Sequence, residues 1–304
     1  MISVVIPVKD GGGDLVRCLE AISHQHVAEE VEVVVVDSGS RDGSPERAQR
    51  LGARVHSIPA SDFHHGRTRN LGAELARGET LVFTSQDAYA ASDSWLSNLT
   101  APLTGDDRVA GVYGRQLPHE DARPPERYFL DFLYGPEPRV QRLEHEDELS
   151  FEVTLFSNVN SAMPRRVWEA YPFDHEIVMS EDQEWSRRVL LASHTIVYEP
   201  EAAVHHSHPY TVAGALRRFF DSGASAERSY VDGSESKAAL WKAGARYAQG
   251  EVAWLWATGQ RRWIPYTAVY ELAKFAGLQL GRHHRILPTA LKTRISAYPE
   301  HWHA

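Results

Sequence analysis

The sequence predicts an α/β fold, a mostly parallel sheet flanked by helices, with a C-terminal helical extension. Three observations carry this reading. Ile2–Pro7, Val31–Val36 and Thr80–Thr84 are continuous apolar, β-branched runs, the pattern of strands buried on both faces. Segments with helical spacing alternate with them through about residue 100, as in a doubly wound sheet. All three runs end in polar segments, and in such sheets ligands sit beyond the carboxyl ends of the strands.

Taken in order, Ile2–Pro7 leads into the turn-forming Gly11–Gly13, and Asp14 can cap a helix carrying Leu15, Cys18, Leu19 and Ile22. Val31–Val36 ends in the polar turn Asp37-Ser38-Gly39-Ser40-Arg41-Asp42-Gly43. A helix from about Pro45 to Leu51, a short strand at Arg54–Ile58 and a helix over Thr68–Ala76 follow. Thr80–Thr84 runs straight into Ser85-Gln86-Asp87-Ala88. Residues 115–150 carry five prolines among many charges and read as a long excursion over the site or an acceptor loop. A strand at Asn158–Met163, a helix over Glu181–Leu191 with Ser180 as its cap, and a strand at Thr195–Tyr198 precede His205, His206 and His208. The chain thus divides into an α/β region, 1–210, and a helical region, 211–304.

The 304 residues are 42% hydrophobic and 24% charged, which excludes a disordered tail, a collagen-like repeat and a disulfide miniprotein. Cys18 is the single cysteine and forms no internal disulfide, as suits a reducing compartment. The N-terminus lacks the basic region of a signal peptide, and no stretch approaches the roughly 20 apolar residues that cross a bilayer. The expectation is therefore a cytoplasmic protein, at most peripheral at the inner membrane face. Charge is uneven. Ten bases and three acids give residues 237–304 about +7, leaving −16 on the rest of a chain whose net charge is −9. The basic tail holds Lys237, Trp241, Lys242, Tyr247, Trp254, Trp256, Trp263, Tyr266 and Tyr270. Such a set suits an anionic membrane surface, a dimer interface, or a helical subdomain with aromatic core and solvated bases. The acidic body argues against nucleic acid as a partner.

Several side chains carry candidate chemistry. Asp37, at a strand end, can accept from a nucleobase N–H or a ribose hydroxyl, or simply close its own turn. Asp87, at another strand end, can hold a divalent ion that bridges phosphate oxygens, with His206 or His208 adding an imidazole if the ion is Mn2+-like. Three histidines within four residues otherwise serve as strand-end hydrogen-bonding groups. Arg67 and Arg69 sit near a helix N-terminus, an anion site suited to a diphosphate, or are solvated surface arginines. One of Glu181 and Asp182 can take a proton from a hydroxyl, or both complement the helix dipole. There is no GxxxxGK[ST] phosphate loop, no GxGxxG after the first strand and no GxSxG elbow.

Together these segments resemble a family 2 glycosyltransferase of the GT-A fold. The matching residues are Val5-Ile6-Pro7-Val8-Lys9, the turn Asp37–Gly43, Arg69-Asn70-Leu71-Gly72, Ser85-Gln86-Asp87-Ala88 at the DxD position, and Glu181-Asp182. Phe63–Gly72, the Gln-Asp-Ala variant and His206-Ser207-His208-Pro209-Tyr210 are similar to rhamnosyltransferase-like members. The resemblance covers about residues 1–210. It implies a donor-nucleotide site at Pro7, Val8, Lys9, Asp37, Gly39, Arg67, Arg69, Gln86 and Asp87. It implies a divalent cation, Mg2+ or Mn2+, at Asp87 with His206 or His208, and Asp182 as general base oriented by Glu181. The reaction it implies is inverting transfer of a sugar, with dTDP-L-rhamnose the indicated donor, to a glycan or lipid-linked acceptor. Gln86 departs from the first Asp of DxD, which leaves two alternatives: a non-catalytic sugar-nucleotide or glycan-binding protein and, with less support, a sugar-phosphate nucleotidyltransferase. The latter expects a basic Gly-rich loop where the chain has acidic Asp10-Gly11-Gly12-Gly13-Asp14.

Overall fold

A computed structural model of the chain describes residues 1–229 and 237–303. The side chains of Lys237, Trp241 and Lys242, counted above with the tail, lie outside the described residues. The amino-terminal half alternates as the apolar runs predict: β1 (Ile2–Val8), α1 (Gly12–Ser23), β2 (Val31–Asp37), α2 (Ser44–Arg50), β3 (Arg54–Ser57), α3 (His65–Leu75), β4 (Thr80–Thr84). It continues through β5 (Tyr89–Ala90), α4 (Trp95–Thr100), β6 (Val109–Leu117), α5 (Pro124–Leu133), β7 (Arg139–Gln141), β8 (Asn160–Pro164) and α6 (Arg165–Ala170). α7 (Glu181–Leu191), β9 (Thr195–His205), α8 (Val212–Ser229), α9 (Lys237–Ala257), α10 (Ile264–Arg282) and α11 (Thr289–Ile295) complete the chain.

The sheet runs β3-β2-β1-β4-β8-β6-β9-β5, with β7 added on β9. β3, β2, β1 and β4 are parallel; β8 enters antiparallel between β4 and β6; β6 and β9 are parallel again. Alternation along β1 explains its unbroken apolar sequence. Ile2, Val4, Ile6 and Val8 pack on one face with Leu15, Cys18, Leu19 and Ile22 of α1. Val5 packs on the other with Ala73 of α3, Phe83 of β4 and Trp185 and Val189 of α7. Each face is therefore a core, and burying each large apolar side chain contributes about 1.5–3 kcal/mol. α3 lies so close that a Cβ at Gly72 would strike Val5.

Three local expectations are corrected. α1 starts at Gly12, so Asp14 lies in its first turn and makes no capping bond. Ser180 does hold the N-cap position of α7, but with φ +63° and no side-chain cap bond. Residues 115–150 are not a plain excursion: they hold the end of β6, α5 begun by Pro124 and Pro125, and β7. Two of the five prolines that read as loop signals, Pro124 and Pro125, sit in the first turn of a helix, where no N–H partner is lost.

The C-terminal helices pack on α5 and α7 and on one another. α8 and α10 meet backbone to backbone, since a Cβ at Gly277 or Gly281 would strike Leu216 or Phe220. Asp221 accepts from Ser296 Oγ at 2.6 Å and Ala297 N–H at 2.7 Å, which folds the last residues back onto α8. Tyr298 then stacks edge-on against His65 of α3 at 4.9 Å. No helix among the described residues is long and apolar enough to cross a membrane.

Candidate active site

The polar segments after β1, β2 and β4 are laced together at the carboxyl ends of those strands. Lys9 N–H donates to Gln86 Oε1 at 2.8 Å, and Gln86 Nε2 donates back to Lys9 C=O at 3.1 Å. Lys9 Nζ reaches Ser38 C=O at 3.2 Å. Gln86, which stands where a DxD motif has its first acid, therefore spends its amide on fixing the loop after Pro7 and Val8. Asp37 is 2% exposed, and its Oδ2 accepts from the N–H groups of Gly39 and Ser40 at 3.1 and 3.2 Å. Gly39 (φ +76°) supplies the left-handed turn that aims those donors.

Asp87 follows Gln86 and meets the histidines at the end of β9. His206 Nε2 lies 3.8 Å from Asp87 Oδ1 and His208 Nδ1 lies 3.6 Å from Oδ2. One ligand atom from each of the three residues falls within 4.8 Å of the others. β9 extends seven residues past Tyr198, to His205, and so delivers the histidine run to the end of β4. His206 Nδ1 is 2.9 Å from Gln116 Oε1, an atom that only accepts, so Nδ1 carries the proton and Nε2 presents its lone pair toward Asp87. Burial, then the neighbouring His208, holds His206 well below the usual imidazole range; burial lowers His208 too, against the pull of Asp87. Two neutral imidazoles and one carboxylate are a donor set that fits a divalent transition ion, and it suits Mn2+ better than oxygen-seeking Mg2+.

The acid pair opens α7. Asp182 Oδ2 accepts from Asn158 N–H at 3.1 Å and Oδ1 from Gln183 N–H at 2.9 Å. Burial, then the adjacent Glu181, raises Asp182 to about 6. Burial also pushes Glu181 up, but Arg69 and His65 outweigh it and hold Glu181 below the usual carboxylate range. Arg69 Nη1 donates to Glu181 Oε1 at 2.9 Å. The pair is thus split into a firmly ionised Glu181 and a basic Asp182. Ser180, left-handed at φ +63°, sets the turn into this pair, the kind of backbone strain that clusters at functional sites.

Two neighbouring residues join these groups. Ser157 Oγ accepts from Gln116 Nε2 at 3.0 Å, and Gln116 holds His206. Asn158 donates through its backbone to Asp182 and through Nδ2 to Glu181 at 3.4 Å. The imidazole–carboxylate cluster and the acid pair therefore flank one short segment ahead of β8. The structure brings Asp87, His206, His208, Glu181, Asp182 and Arg69 together there, beside the Asp37 and Lys9 turns. Arg67 is exposed on α3, and Arg69, the fifth residue of that helix, is engaged by Glu181 inside the fold. A surface depression bordered by Ile2, Thr80 and Pro164 lies at the amino ends of β1 and β4, away from this chemistry.

Sequence reasoning missed Gln116, Asn158 and Arg218. Nothing in the local sequence marks the first two, whose roles arise from pairing in space. Arg218, on α8, donates to Met179 Sδ at 2.5 Å, one residue before Ser180, and makes no ion pair with a carboxylate among the described residues. Its charge acts on Asp182 and Glu181 on one side and on His206 and His208 on the other.

Residues 3–171 match the family described as Glycosyl transferase family 2. The chain belongs to this family. Consistent with that membership, it is 31% identical to the O-antigen chain rhamnosyltransferase RfbN of Salmonella typhimurium, over 99% of this chain and 96% of that one. It is also 31% identical to the O-antigen chain rhamnosyltransferase WbaN of Salmonella anatum, over 89% and 86%. Among solved structures, a mannosyltransferase from Pyrobaculum calidifontis, in complex with GDP-Man and Mn2+, superposes with a TM-score of 0.61 at 20% identity, covering 91% of this chain and 86% of that one. S. aureus TarS 1-349 in complex with UDP-GlcNAc gives 0.52 at 14% identity, over 93% and 92%. At these identities the structural likeness is one of fold, and that fold is GT-A. The protein is a family 2, rhamnosyltransferase-like glycosyltransferase, and the binding-protein and nucleotidyltransferase alternatives fall away.

Proposed function

We propose that this glycosyltransferase moves L-rhamnose from dTDP-rhamnose to a hydroxyl of a glycan acceptor carried on a lipid, with inversion at the anomeric carbon and Asp182 as the base. The names of the two Salmonella relatives support rhamnose. The nucleotide sugars in the two structural neighbours support a nucleoside-diphosphate donor. The observation that carries the mechanism is Asp182 itself: partly buried, basic for a carboxylate, and tied through Asn158, Ser157 and Gln116 to His206.

In this reading the turns after β1 and β2 hold the nucleoside. Asp37 keeps acceptor capacity beyond its two turn N–H groups, for a base N–H or ribose hydroxyl. Pro7, Val8, Lys9, Gly39 and Gln86 shape the floor beneath it, with Arg67 at the rim. Asp87, His206 and His208 would hold the divalent cation, which when bound neutralises charge on the diphosphate leaving group. Arg218 faces the same diphosphate from α8, between the two acidic and imidazole sets. Asp182 takes the proton of the acceptor hydroxyl as that oxygen bonds to the anomeric carbon, and the bond from that carbon to the diphosphate oxygen breaks. Glu181, held ionised by Arg69, keeps Asp182 basic. Attack from the face opposite the leaving group inverts configuration. A peripheral membrane contact by the C-terminal region would bring the site to such an acceptor.

A thermal-shift panel of TDP, UDP and GDP, each with and without Mn2+ or Mg2+, tests the donor and ion together, because a specific ligand raises the melting temperature by mass action. The expected result is the largest rise with TDP and Mn2+. An equal or larger rise with another nucleotide removes dTDP-rhamnose as the donor, and a rise independent of ion removes the cation.

A further inference from the structure

One face of α10 is apolar and bare. Pro265, Ala268, Val269, Leu272, Ala276 and Leu280 recur at three- and four-residue spacing, and all six are exposed. Val269 is 54% and Leu272 68% exposed, and just past the helix Ile286 reaches 81%. No Asp, Glu, Lys or Arg interrupts this stripe. The neighbouring face packs on α8, where a Cβ at Gly277 or Gly281 would strike that helix's backbone. From Pro265 to Leu280 the stripe is about 22 Å long.

Its two ends are basic. Arg261 and Arg262 stand exposed before α10, with Arg261 4.0 Å over the ring of Trp256, itself 58% exposed. Arg282 and the exposed Arg285 stand at the other end. Of the three acids of the tail, Glu251 is fully buried and Glu271 pairs with Lys274 at 2.8 Å; Glu300 is exposed, beyond α11 and close to the end of the chain. The aromatic residues that suggested a surface role are largely packed: Tyr247 and Trp254 contact Tyr128 of α5. The exposed stripe is aliphatic instead.

We propose that this face of α10 is a docking surface for an anionic lipid bilayer, lying flat in the headgroup region with its arginines on lipid phosphates. A second copy of the chain is the poorer occupant. With arginines at both ends, parallel and antiparallel pairing of two such stripes each set base against base. The inference rests on the transferase reading for its purpose, which is to bring the site to a lipid-borne acceptor, but its test does not depend on turnover.

The test is co-sedimentation of the full chain with vesicles of phosphatidylcholine alone or mixed with phosphatidylglycerol, alongside sizing in solution. Binding to the mixed vesicles that weakens with added salt, and that falls at least about tenfold when Val269→Asp and Leu272→Asp are combined, is the expected result. No binding to anionic vesicles overturns the proposal, as does binding that the double substitution leaves intact. A dimer in solution that the substitution splits into monomers overturns it in favour of a second copy. A circular-dichroism spectrum and ligand-free melting temperature like those of the wild type show that the variant is folded, and the rise in melting temperature with TDP and Mn2+ is measured on the same samples. If that rise persists while wild-type vesicle binding is absent, only the surface proposal fails; if vesicles bind and no nucleotide does, only the donor reading fails.

Discussion

Asp182 is partly withdrawn from water and each carboxylate oxygen gains one backbone N–H donor, which is less than bulk water offers an ionised carboxylate. Glu181 beside it cannot share the burden, because Arg69 keeps it charged. The outcome is a base near neutrality. The sign for activity follows. A protonated Asp182 cannot accept the hydroxyl proton, so turnover rises with pH up to about 6 and then levels. Asp182→Asn removes this acidic limb along with turnover, and a pH–rate profile checks both. Arg218→Met leaves the pair and the histidines in place but removes the cation between them. It lowers turnover by roughly 10²-fold, read in steady-state kinetics at saturating Mn2+.

Elements matter because they carry these residues to one place. β6 brings Gln116, β9 brings His206, and the turn before β8 brings Ser157 and Asn158. His206 was legible as one of three clustered histidines; the roles of Gln116, Ser157 and Asn158 were not. β6 has glycines within its run, and β9 looks finished at Tyr198 because Glu199-Pro200-Glu201 breaks the apolar pattern, whereas the structure carries the strand through that proline. Gln116→Leu frees the His206 ring and weakens Mn2+ binding by about 10–100-fold, measurable by calorimetry, with little change in folding. A second element-scale prediction concerns α9. Both carboxylate oxygens of Glu251 are buried without a hydrogen-bond partner, and burial, then Glu271, raises the group to about 8. The folded state therefore keeps a proton that the unfolded chain releases near 4.5, so stability falls as pH rises from about 4.5 to 8. Glu251→Gln raises the melting temperature at pH 8 and loses that advantage near pH 4, which thermal melts across this range test.

At the scale of the molecule, the parallel half of the sheet was legible because strands buried on both faces must be apolar throughout. Ile2–Val8, Val31–Asp37 and Thr80–Thr84 have no other way to exist in water. The polar ends of those strands located Asp37 and Asp87 for the same reason. The closing of the site was not legible. Arg69 reads as a helix-terminal anion binder and is turned inward by Glu181, 112 residues later. Long-range pairs of this kind leave no trace in spacing, and the return of Tyr298 onto His65 is another.

The account's central claim is that donor gripping and proton transfer are done by separate groups in one site: Asp87 with the histidines, and Asp182. Calorimetry and turnover on a single preparation of Asp182→Asn test it most directly. The predicted result is binding of dTDP-rhamnose with Mn2+ as in the wild type and a rate at least about 10²-fold lower. A variant that turns over at the wild-type rate, or one that stays folded yet no longer binds the donor, would contradict it.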